Sequence, residues 1–319
     1  MAAAVKKEAE LRVFLKKVEE QNLLAEEYLR LQWEKQHLRT PVSTATIEQK
    51  FTIITVDTSK PGDFIMLGAG NLSVLNAGAG QSWQSWWDKP RLYEKFLSKF
   101  AADHPQQIVI LSDGFDMVFG GCTNDQLLAS FHAVLRTSGA QVVWGAENCC
   151  FPWRASCDWY GNFSKPRAAV MRAFGMGDAY EVFGDCRRCR DLDIPGYDSF
   201  CASPSSYQHL NSGFVMGAAQ DVYEVVKLWR DLYVNRSETD QLVARDAFFQ
   251  RPDFMTLDYA GALVVTVGNI PESMLPQVFS VQNGTLRNHL TGMTQCFVHG
   301  AGPGKLFVAH LVKRLKESA

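Results

Sequence analysis

Residues Ile108–Phe119 have the sequence IVILSDGFDMVF, and this stretch decides the predicted fold. Its first four residues are apolar and predict a buried strand. The strand ends in two aspartates three residues apart, Asp113 and Asp116. Open α/β sheets bind ligands beyond the carboxyl ends of their strands, and carboxylate oxygens suit a divalent cation. Turn formation and helix capping are the alternative roles for aspartates at such positions.

A second apolar strand, near the C-terminus, supplies a different type of ligand. Cys296–Val298 runs into His299 and then into the glycine-rich turn Gly300–Lys305, GAGPGK. An imidazole beside two carboxylates completes a ligand set for a divalent cation, and a small basic loop suits a diphosphate. Taken alone, His299 would be interpreted as a core histidine at a strand end. Together the two segments predict an enzyme that uses a metal to hold a nucleotide diphosphate.

The composition predicts one sizeable globular domain. The chain has 319 residues, of which 46% are hydrophobic and 21% are charged. The formal net charge of -2 argues against a nucleic-acid partner, because no basic excess exists to neutralise phosphates. No apolar run is long enough to cross a bilayer. The N-terminal residues lack the apolar core of a signal peptide.

Features of the sequence give conflicting indications of the cellular compartment. Four N-x-S/T sequons and eight cysteines favour a glycoprotein with disulfide bonds in the endoplasmic reticulum or Golgi lumen. The missing signal peptide favours the cytoplasm, unless the chain is a fragment. Cys186 and Cys189, with Cys201, have part of the spacing of a zinc site, but no second pair matches. Disulfides in a lumenal loop within the segment Cys149–Cys201 are therefore expected, and free thiols in a cytosolic protein are the alternative.

Residues 1–46 are predicted to form a charged helical extension or stem, and residues 47–319 the main domain. Residues 5–38 contain neither Gly nor Pro and are rich in Lys, Glu, Gln and Leu, which favours a helix. Gln21 and Gln32 interrupt its apolar heptad seam, so a solvated helix is expected rather than a stable coiled coil. Self-association through this helix is the alternative.

From Phe51 onward, predicted strands and helices alternate, which implies a mostly parallel central sheet flanked by helices. The predicted strands are Phe51–Val56, Ser73–Leu75, Gln107–Leu111, Gln141–Ala146, Phe214–Gly217, Met255–Leu257, Leu263–Val267 and Gln295–His299. The predicted helices are Lys89–Phe100, Thr123–Arg136, Pro166–Phe174, Gln220–Tyr233, Asp240–Phe249 and Gly304–Lys316.

Short motifs follow one another in an order that resembles a known family. They are Thr55-Val56, Gly80 with Trp83 and Lys89, D-x-F-D at Asp113–Asp116, Ala146-Glu147 with Pro152, an L-N-S-G turn at Leu210–Gly213, Asp240–Leu242, Thr256–Asp258 and H-G-x-G-P-x-K at His299–Lys305. In these motifs the chain resembles the glycosyltransferase domain of the multifunctional procollagen lysyl hydroxylases, from about Phe51 to Leu311. The order and spacing of the motifs make the match specific.

The resemblance implies an α/β fold of the GT-A type, a UDP-sugar donor and an Mn²⁺ ion held by Asp113, Asp116 and His299. The implied reaction moves a hexose, galactose or glucose, to an acceptor hydroxyl on a protein or glycan, with hydroxylysine as one candidate acceptor. The sequence leaves open which sugar is transferred, which acceptor receives it, and whether the anomeric configuration is inverted or retained.

The resemblance also implies a set of donor contacts. The base and ribose would lie beside Val56, Asp57 and Thr58, with Trp83 against the uracil, whereas core packing is the alternative for Trp86 and Trp87. The phosphates would be reached from Lys89, Gly300, Gly302 and Lys305, and a solvated lysine is the alternative for Lys305. The donor sugar would be lined by Asn211, Ser212 and Gly213.

Asp240 is the predicted carboxylate near the reacting carbon. It would act as general base on the acceptor hydroxyl or stabilise an oxocarbenium-like transition state. An acid favoured by the helix dipole is an equally good alternative, and Glu147 faces a similar choice. The family carries a run of aspartates here, whereas this chain has RSETD and keeps only Asp240.

Two other classes of function are alternatives to a glycosyltransferase. A sugar-nucleotide-binding pseudo-enzyme would not need the intact metal triad. A metal-dependent phosphohydrolase of the aspartate-nucleophile class would carry its aspartates two residues apart before Gly-Thr, and Asp113 and Asp116 do not fit that spacing.

Overall fold

All the residues that the computed structural model describes lie within the unit Gln49–Ala319. The described residues are 51–58, 73–114, 116–147, 164–174, 207–233, 238–267, 279–289, 292–301, 308, 311 and 313–315. The predicted helical extension at residues 1–46 lies outside them, as do the six cysteines between Cys149 and Cys201.

Eleven strands and five helices are bounded within the described residues. The strands are β1 (Phe51–Thr55), β2 (Ser73–Asn76), β3 (Ile108–Ser112), β4 (Met117–Phe119), β5 (Val142–Glu147), β6 (His209–Ala218), β7 (Met255–Leu257), β8 (Val264–Thr266), β9 (Phe279–Gln282), β10 (Thr285–Asn288) and β11 (Phe297–His299). The helices are α1 (Asp88–Asp103), α2 (Asn124–Ser138), α3 (Ser164–Ala173), α4 (Ala219–Asp231) and α5 (Asp240–Gln250).

The central sheet has six strands in the order β2-β1-β3-β6-β5-β7. Strand β1 is parallel to β2 and β3, and β5 is parallel to β7. Strand β6 runs antiparallel to both of its neighbours, β3 and β5. The prediction of a mostly parallel α/β sheet is therefore confirmed, with one antiparallel strand in its interior.

A smaller sheet, in the order β4-β11-β8, carries the C-terminal part of the site. Strand β11 pairs antiparallel with β4 and parallel with β8. The hairpin β9–β10 is tied to this sheet, because Leu286 N–H donates to Gly120 O and Gln295 N–H donates to Leu286 O. Strands β4, β9 and β10 are three or four residues long and were not predicted.

Helix α2 shows why the predicted helices form where they do. Thr123 and Gln126 make a reciprocal capping box at its N-terminus, and Gly139 ends it with a φ of 76°. Helix α1 packs on α4, and α2 packs on α3. The predicted C-terminal helix is described only at Val308, Leu311 and residues 313–315, which are helical. None of the described helices combines the length and apolar character needed to cross a membrane.

Candidate active site

One edge of the central sheet gathers most of the predicted site residues. Thr55 on β1 and Phe214 on β6 both pair with Ser112, so Asp113 leaves β3 beside the end of β1 and the first half of β6. Glu147, at the end of β5, pairs with His209 at the start of β6. Because β6 is antiparallel, its beginning lies at the edge where the parallel strands end.

Asp113, Asp116 and His299 form a compact cluster beyond this edge. His299 Nε2 lies 3.5 Å from Asp113 Oδ2 and 3.6 Å from Asp116 Oδ1. One ligand atom from each residue lies within 4.8 Å of the other two. The structure thus brings together three residues that the sequence separates by up to 186 positions, as the metal prediction requires.

The cluster fits a divalent cation. His299 is buried, and among the described residues neither of its ring nitrogens has a partner at hydrogen-bond distance, since the two carboxylates lie 3.5 and 3.6 Å from Nε2. A buried polar atom without a partner is costly unless a ligand or ion satisfies it. Two carboxylates and one imidazole suit Mn²⁺, which accepts both oxygen and nitrogen ligands.

The charges of the cluster hold one another in the ionised state. Burial disfavours the imidazolium of His299, but Asp113 and Asp116 outweigh burial and raise the pKa of His299 to about 9. Burial likewise disfavours the carboxylate of Asp113, but Lys89 and His299 outweigh it and hold the pKa of Asp113 well below its ordinary value. A bound cation would take the place of the imidazolium proton.

Gly213 lets the imidazole approach the central sheet. A Cβ atom at this position would overlap the His299 ring and would lie 2.7 Å from Nδ1 and from Nε2. Asp113 N–H donates to Gly213 O over 3.0 Å, so the glycine is also fixed beside the first aspartate. The glycine was predicted to line the sugar pocket, and in the structure it packs against the histidine of the cluster.

Lys89 links the cluster to Asp240. Its Nζ atom lies 2.6 Å from Asp113 Oδ1 and 2.8 Å from Asp240 Oδ2, and the side chain is buried. Burial disfavours the ammonium, but the two carboxylates outweigh it and raise the pKa of Lys89 well above its ordinary value. The structure therefore gives Lys89 two acidic partners, while its predicted donor contact stays a prediction.

Asp240 is the first residue of α5 and is held from three sides. Its Oδ2 atom accepts from Lys89 Nζ and from Ser212 Oγ, the latter at 2.9 Å. Its backbone carbonyl accepts from Trp229 Nε1 at 3.0 Å. Thr239 caps the helix, because its side-chain oxygen accepts from Leu242 N–H. Asp240 therefore has a buried and fixed carboxylate, which a favourable interaction with the helix dipole alone does not require.

Glu147 is engaged by two amide side chains. Its carboxylate accepts from Asn211 Nδ2 at 3.0 Å and from Gln241 Nε2. Asn211 Oδ1 in turn accepts from Gly213 N–H at 2.9 Å. Gln241 was not predicted as a site residue, although its place after Asp240 in the D-Q-L motif was the signal. This network orients the start of β6 toward the cluster.

The prediction of a turn at Leu210–Gly213 is wrong. These residues lie in β6, which runs from His209 to Ala218 between β3 and β5. The polar pair Asn211 and Ser212 interrupts the apolar pattern from which the shorter strand Phe214–Gly217 was predicted. Their polar side chains are satisfied within the site, which is why a strand continues through them.

The predicted nucleotide-binding residues Val56, Asp57 and Thr58 follow β1 at the same edge of the sheet. Asp57 N–H donates to Asn76 Oδ1, and Asn76 Nδ2 donates to Asp57 O. A Cβ atom at Gly78 would lie 2.8 Å from Asp57 N, so this backbone pair approaches too closely for any side chain. The segment has a fixed conformation, and its nucleotide contacts stay a prediction.

Trp83 and Trp86 lie exposed on the loop before α1. The two rings meet edge to face with centroids 5.6 Å apart, and their exposed fractions are 40% and 49%. Core packing therefore does not account for Trp86, whereas the half-buried Trp87 does pack on the core. The loop is anchored at Asp88, which accepts from the backbone N–H groups of Gln84 and Ser85.

The glycine-rich loop after His299 is described only at its start. Gly300 N–H donates to Asp116 O over 2.7 Å, which ties the loop to the second aspartate. Gly302 and Lys305 lie outside the described residues, so their phosphate contacts stay predictions.

A disulfide joins Cys122 and Cys296. This pair was not predicted from the sequence, which favoured disulfides within the cysteine-rich segment Cys149–Cys201. That segment lies outside the described residues. The available signal was the position of the two cysteines: Cys296 directly precedes the predicted ligand strand, and Cys122 follows the aspartate pair.

No family model matches the chain, and no curated protein sequence matches it. Among solved structures, the chain is similar to a glycosyltransferase involved in the glycosylation of the major capsid of PBCV-1. The two chains are 11% identical with a TM-score of 0.43, and the match covers 83% of this chain and 98% of the other. A similarity of this size assigns no function, and the family resemblance of the motifs stays a hypothesis.

Proposed function

We propose that the protein is an Mn²⁺-dependent glycosyltransferase that moves a hexose, galactose or glucose, from a UDP-sugar to an acceptor hydroxyl. The observation that carries the proposal is the cluster of Asp113, Asp116 and His299 beside the Lys89–Asp240 ion pair. The metal site would stabilise the leaving diphosphate, and the separately held carboxylate of Asp240 would act on the acceptor or the reacting carbon.

The metal half of the site would act on the leaving group. Asp113, Asp116 and His299 would hold the cation, which would neutralise the negative charge that develops on the departing diphosphate. Lys89 keeps Asp113 ionised and in place through a contact of 2.6 Å. Gly300, Gly302 and Lys305 would contribute to holding the diphosphate.

The second half of the site would act on the acceptor or the reacting carbon. Lys89 and Ser212 hold Asp240 through its Oδ2 atom. Within the described part of the chain Oδ1 has no hydrogen-bond partner, and it is the oxygen available to accept the acceptor proton or to stabilise positive charge on the sugar. Glu147 acts through Asn211 and Gln241 in this proposal and positions the sugar pocket.

The finer assignments follow the family resemblance. Val56, Asp57, Thr58 and Trp83 would hold the nucleoside, and Asn211, Ser212 and Gly213 would line the sugar. The acceptor would be a hydroxyl on a protein or glycan, including hydroxylysine. The disulfide between Cys122 and Cys296 is consistent with the lumen of the endoplasmic reticulum or Golgi as the place of action.

A thermal-shift experiment tests the donor. A ligand that binds only the folded protein stabilises it by about 2.7 kcal/mol at a hundredfold excess over Kd. For a domain of this size that corresponds to a rise in Tm of roughly 5 °C. We expect UDP to produce this rise with Mn²⁺ and not with EDTA, and the Asp116→Ala protein to lose it.

Two results would contradict parts of the proposal. Equal protection by ADP or GDP would contradict the uridine assignment. Protection by UDP without any release of UDP from UDP-sugars, across a panel of acceptors, would indicate a sugar-nucleotide-binding protein without catalytic activity.

A further inference from the structure

The metal cluster and the disulfide lie at opposite ends of one strand pair. Strands β4 and β11 pair antiparallel through three residues each, with Phe297 opposite Phe119 and His299 opposite Met117. Asp116 directly precedes β4 and His299 ends β11, so both ligands lie at the same end. Cys122 and Cys296 lie at the other end, with their Cα atoms 4.9 Å apart.

The backbone is closed at both ends of this ladder. At the metal end Gly300 N–H donates to Asp116 O over 2.7 Å, and at the disulfide end Gly120 N–H donates to Cys296 O over 2.8 Å. A Cβ atom at Gly120 would overlap Gln295 O, so the two chains touch there without room for a side chain. Both cysteines are buried.

Strand β4 is a three-residue edge strand that, in the described sheet, is held through β11, and a ladder this short does not by itself fix the strand pairing strongly. The two strands are also far apart in sequence, since the cysteines are separated by 174 residues. Bringing such distant segments together costs loop-closure entropy, which a covalent link removes from the unfolded state. The link also limits sliding and separation of the strands that carry Asp116 and His299.

We propose that the disulfide between Cys122 and Cys296 positions Asp116 and His299 for metal binding, so that its removal weakens the affinity for Mn²⁺ beyond any general loss of stability. The inference rests on the proposed metal site. It assigns the cysteines no contact with the metal, the donor or the acceptor, and it makes them positioning residues for two of the three ligands.

The test compares Mn²⁺ binding in the native protein, the Cys122→Ala/Cys296→Ala protein and the Val134→Ala protein. Val134 is buried nearly three turns into α2, so its truncation lowers stability and changes no residue of β4 or β11. Free Mn²⁺ is measured by electron paramagnetic resonance well below each Tm. Loss of a group that supports metal ligands typically weakens affinity by about 10–100-fold.

We expect the doubly substituted protein to bind Mn²⁺ at least about tenfold more weakly, and Val134→Ala to bind as the native protein does. Equal Kd values for the native and doubly substituted proteins would overturn the inference while leaving the metal site intact. Failure of the native protein to bind Mn²⁺ would overturn both the metal proposal and the inference.

If the doubly substituted protein does not fold, the native chain supplies the measurement. A phosphine reduces the disulfide to two thiols and is itself oxidised to the phosphine oxide with oxygen from water. The rate of alkylation at Cys122 and Cys296 is then followed by mass spectrometry of their peptides. We expect Mn²⁺ to slow this reaction at least about fivefold in the native protein and not in Asp116→Ala, because coupling between two sites is reciprocal. Equal rates with and without Mn²⁺ in the native protein would overturn the inference.

Discussion

At the residue scale, the central feature is a chain of paired charges from His299 through Asp113 and Lys89 to Asp240, in which Asp113 is half-buried and the other three are buried. The distances along it are 3.5, 2.6 and 2.8 Å. Burying charges is costly unless each is paired, and here every member has a partner of opposite sign. The arrangement connects the metal cluster directly to the carboxylate proposed to act on the sugar or acceptor.

Asp240→Asn separates a catalytic role from a structural one. We expect this change to lower kcat at least about tenfold while Kd for UDP stays within about twofold of native, because an interaction made only in the transition state changes the rate alone. Asp221→Asn is the matched control, since Asp221 lies in the first turn of α4. Calorimetry of UDP binding beside a UDP-release rate checks both. Turnover near the native value would refute the catalytic role.

His299 predicts a pH dependence of the metal-free protein. Its folded pKa of about 9 exceeds the ordinary 6.5, so the folded state binds this proton more tightly than the unfolded state does. The stabilisation is therefore complete below about pH 6.5 and is lost as the pH rises to about 9, with a total of roughly 3 kcal/mol. Urea unfolding across this range should show the decline in the native protein.

His299→Gln is the control for that measurement, because glutamine does not titrate. The difference in unfolding free energy between the two proteins should shrink from pH 6.5 to pH 9. A difference that stays constant would contradict the assignment of this pKa to His299. Mn²⁺ affinity should rise over the same range, because the cation and the proton compete for the imidazole.

At the element scale, β6 decides whether the site can form. It is the antiparallel strand inside the sheet, and its first half carries Asn211, Ser212 and Gly213 to the edge where β3 and β5 end. Its central position makes it rigid, and side chains on a rigid strand are held more precisely than side chains on a loop. The same strand contacts the metal cluster, Asp240 and Glu147.

Gly213→Ala should displace the imidazole of His299, because the new methyl group would overlap its ring. We expect Mn²⁺ affinity to fall about tenfold or more, on the scale typical for groups that orient metal ligands. Gly217→Ala is the control on the same strand, since its Cβ would meet Val222 Cγ2 at 2.9 Å and no site residue. The control should lose stability and keep its Mn²⁺ affinity. Equal Mn²⁺ affinity in both variants would contradict the proposed contact.

The long elements could be predicted from sequence because their patterns are local. Strand β3 and helix α2 differ from prediction by one or two residues, and the short strand Met255–Leu257 was predicted with the observed bounds. Strands β9 and β10 were missed because FSVQ and TLRN are short and half polar, and β4 because its three residues directly follow the aspartate pair. The start of β6 has the sequence pattern of a turn because its polar residues contact the site and not the core.

At the scale of the whole molecule, the site consists of segments that lie far apart along the chain. Asp113 could be placed at the carboxyl edge of the central sheet, where such sheets bind ligands. Asp116 and His299 were proposed as metal ligands from their residue types, and they lie on the smaller sheet, beside β4 and in β11. The ion pairs of Lys89 with Asp113 and Asp240 could not be predicted from the sequence, since they depend on how α1 and α5 pack beside the edge of the central sheet. The pairing of Cys122 with Cys296 depends in the same way on the register of β4 against β11.

The most direct test of the account measures UDP release from UDP-galactose and UDP-glucose, with Mn²⁺ or with excess EDTA. We expect Mn²⁺-dependent release by the native protein and by Asp125→Ala, which removes an exposed acid of α2. Asp116→Ala should lose at least about a hundredfold of that rate while remaining folded, because several kcal/mol of charge stabilisation depend on the metal. Full release in excess EDTA, or by the Asp116→Ala protein, would contradict the account.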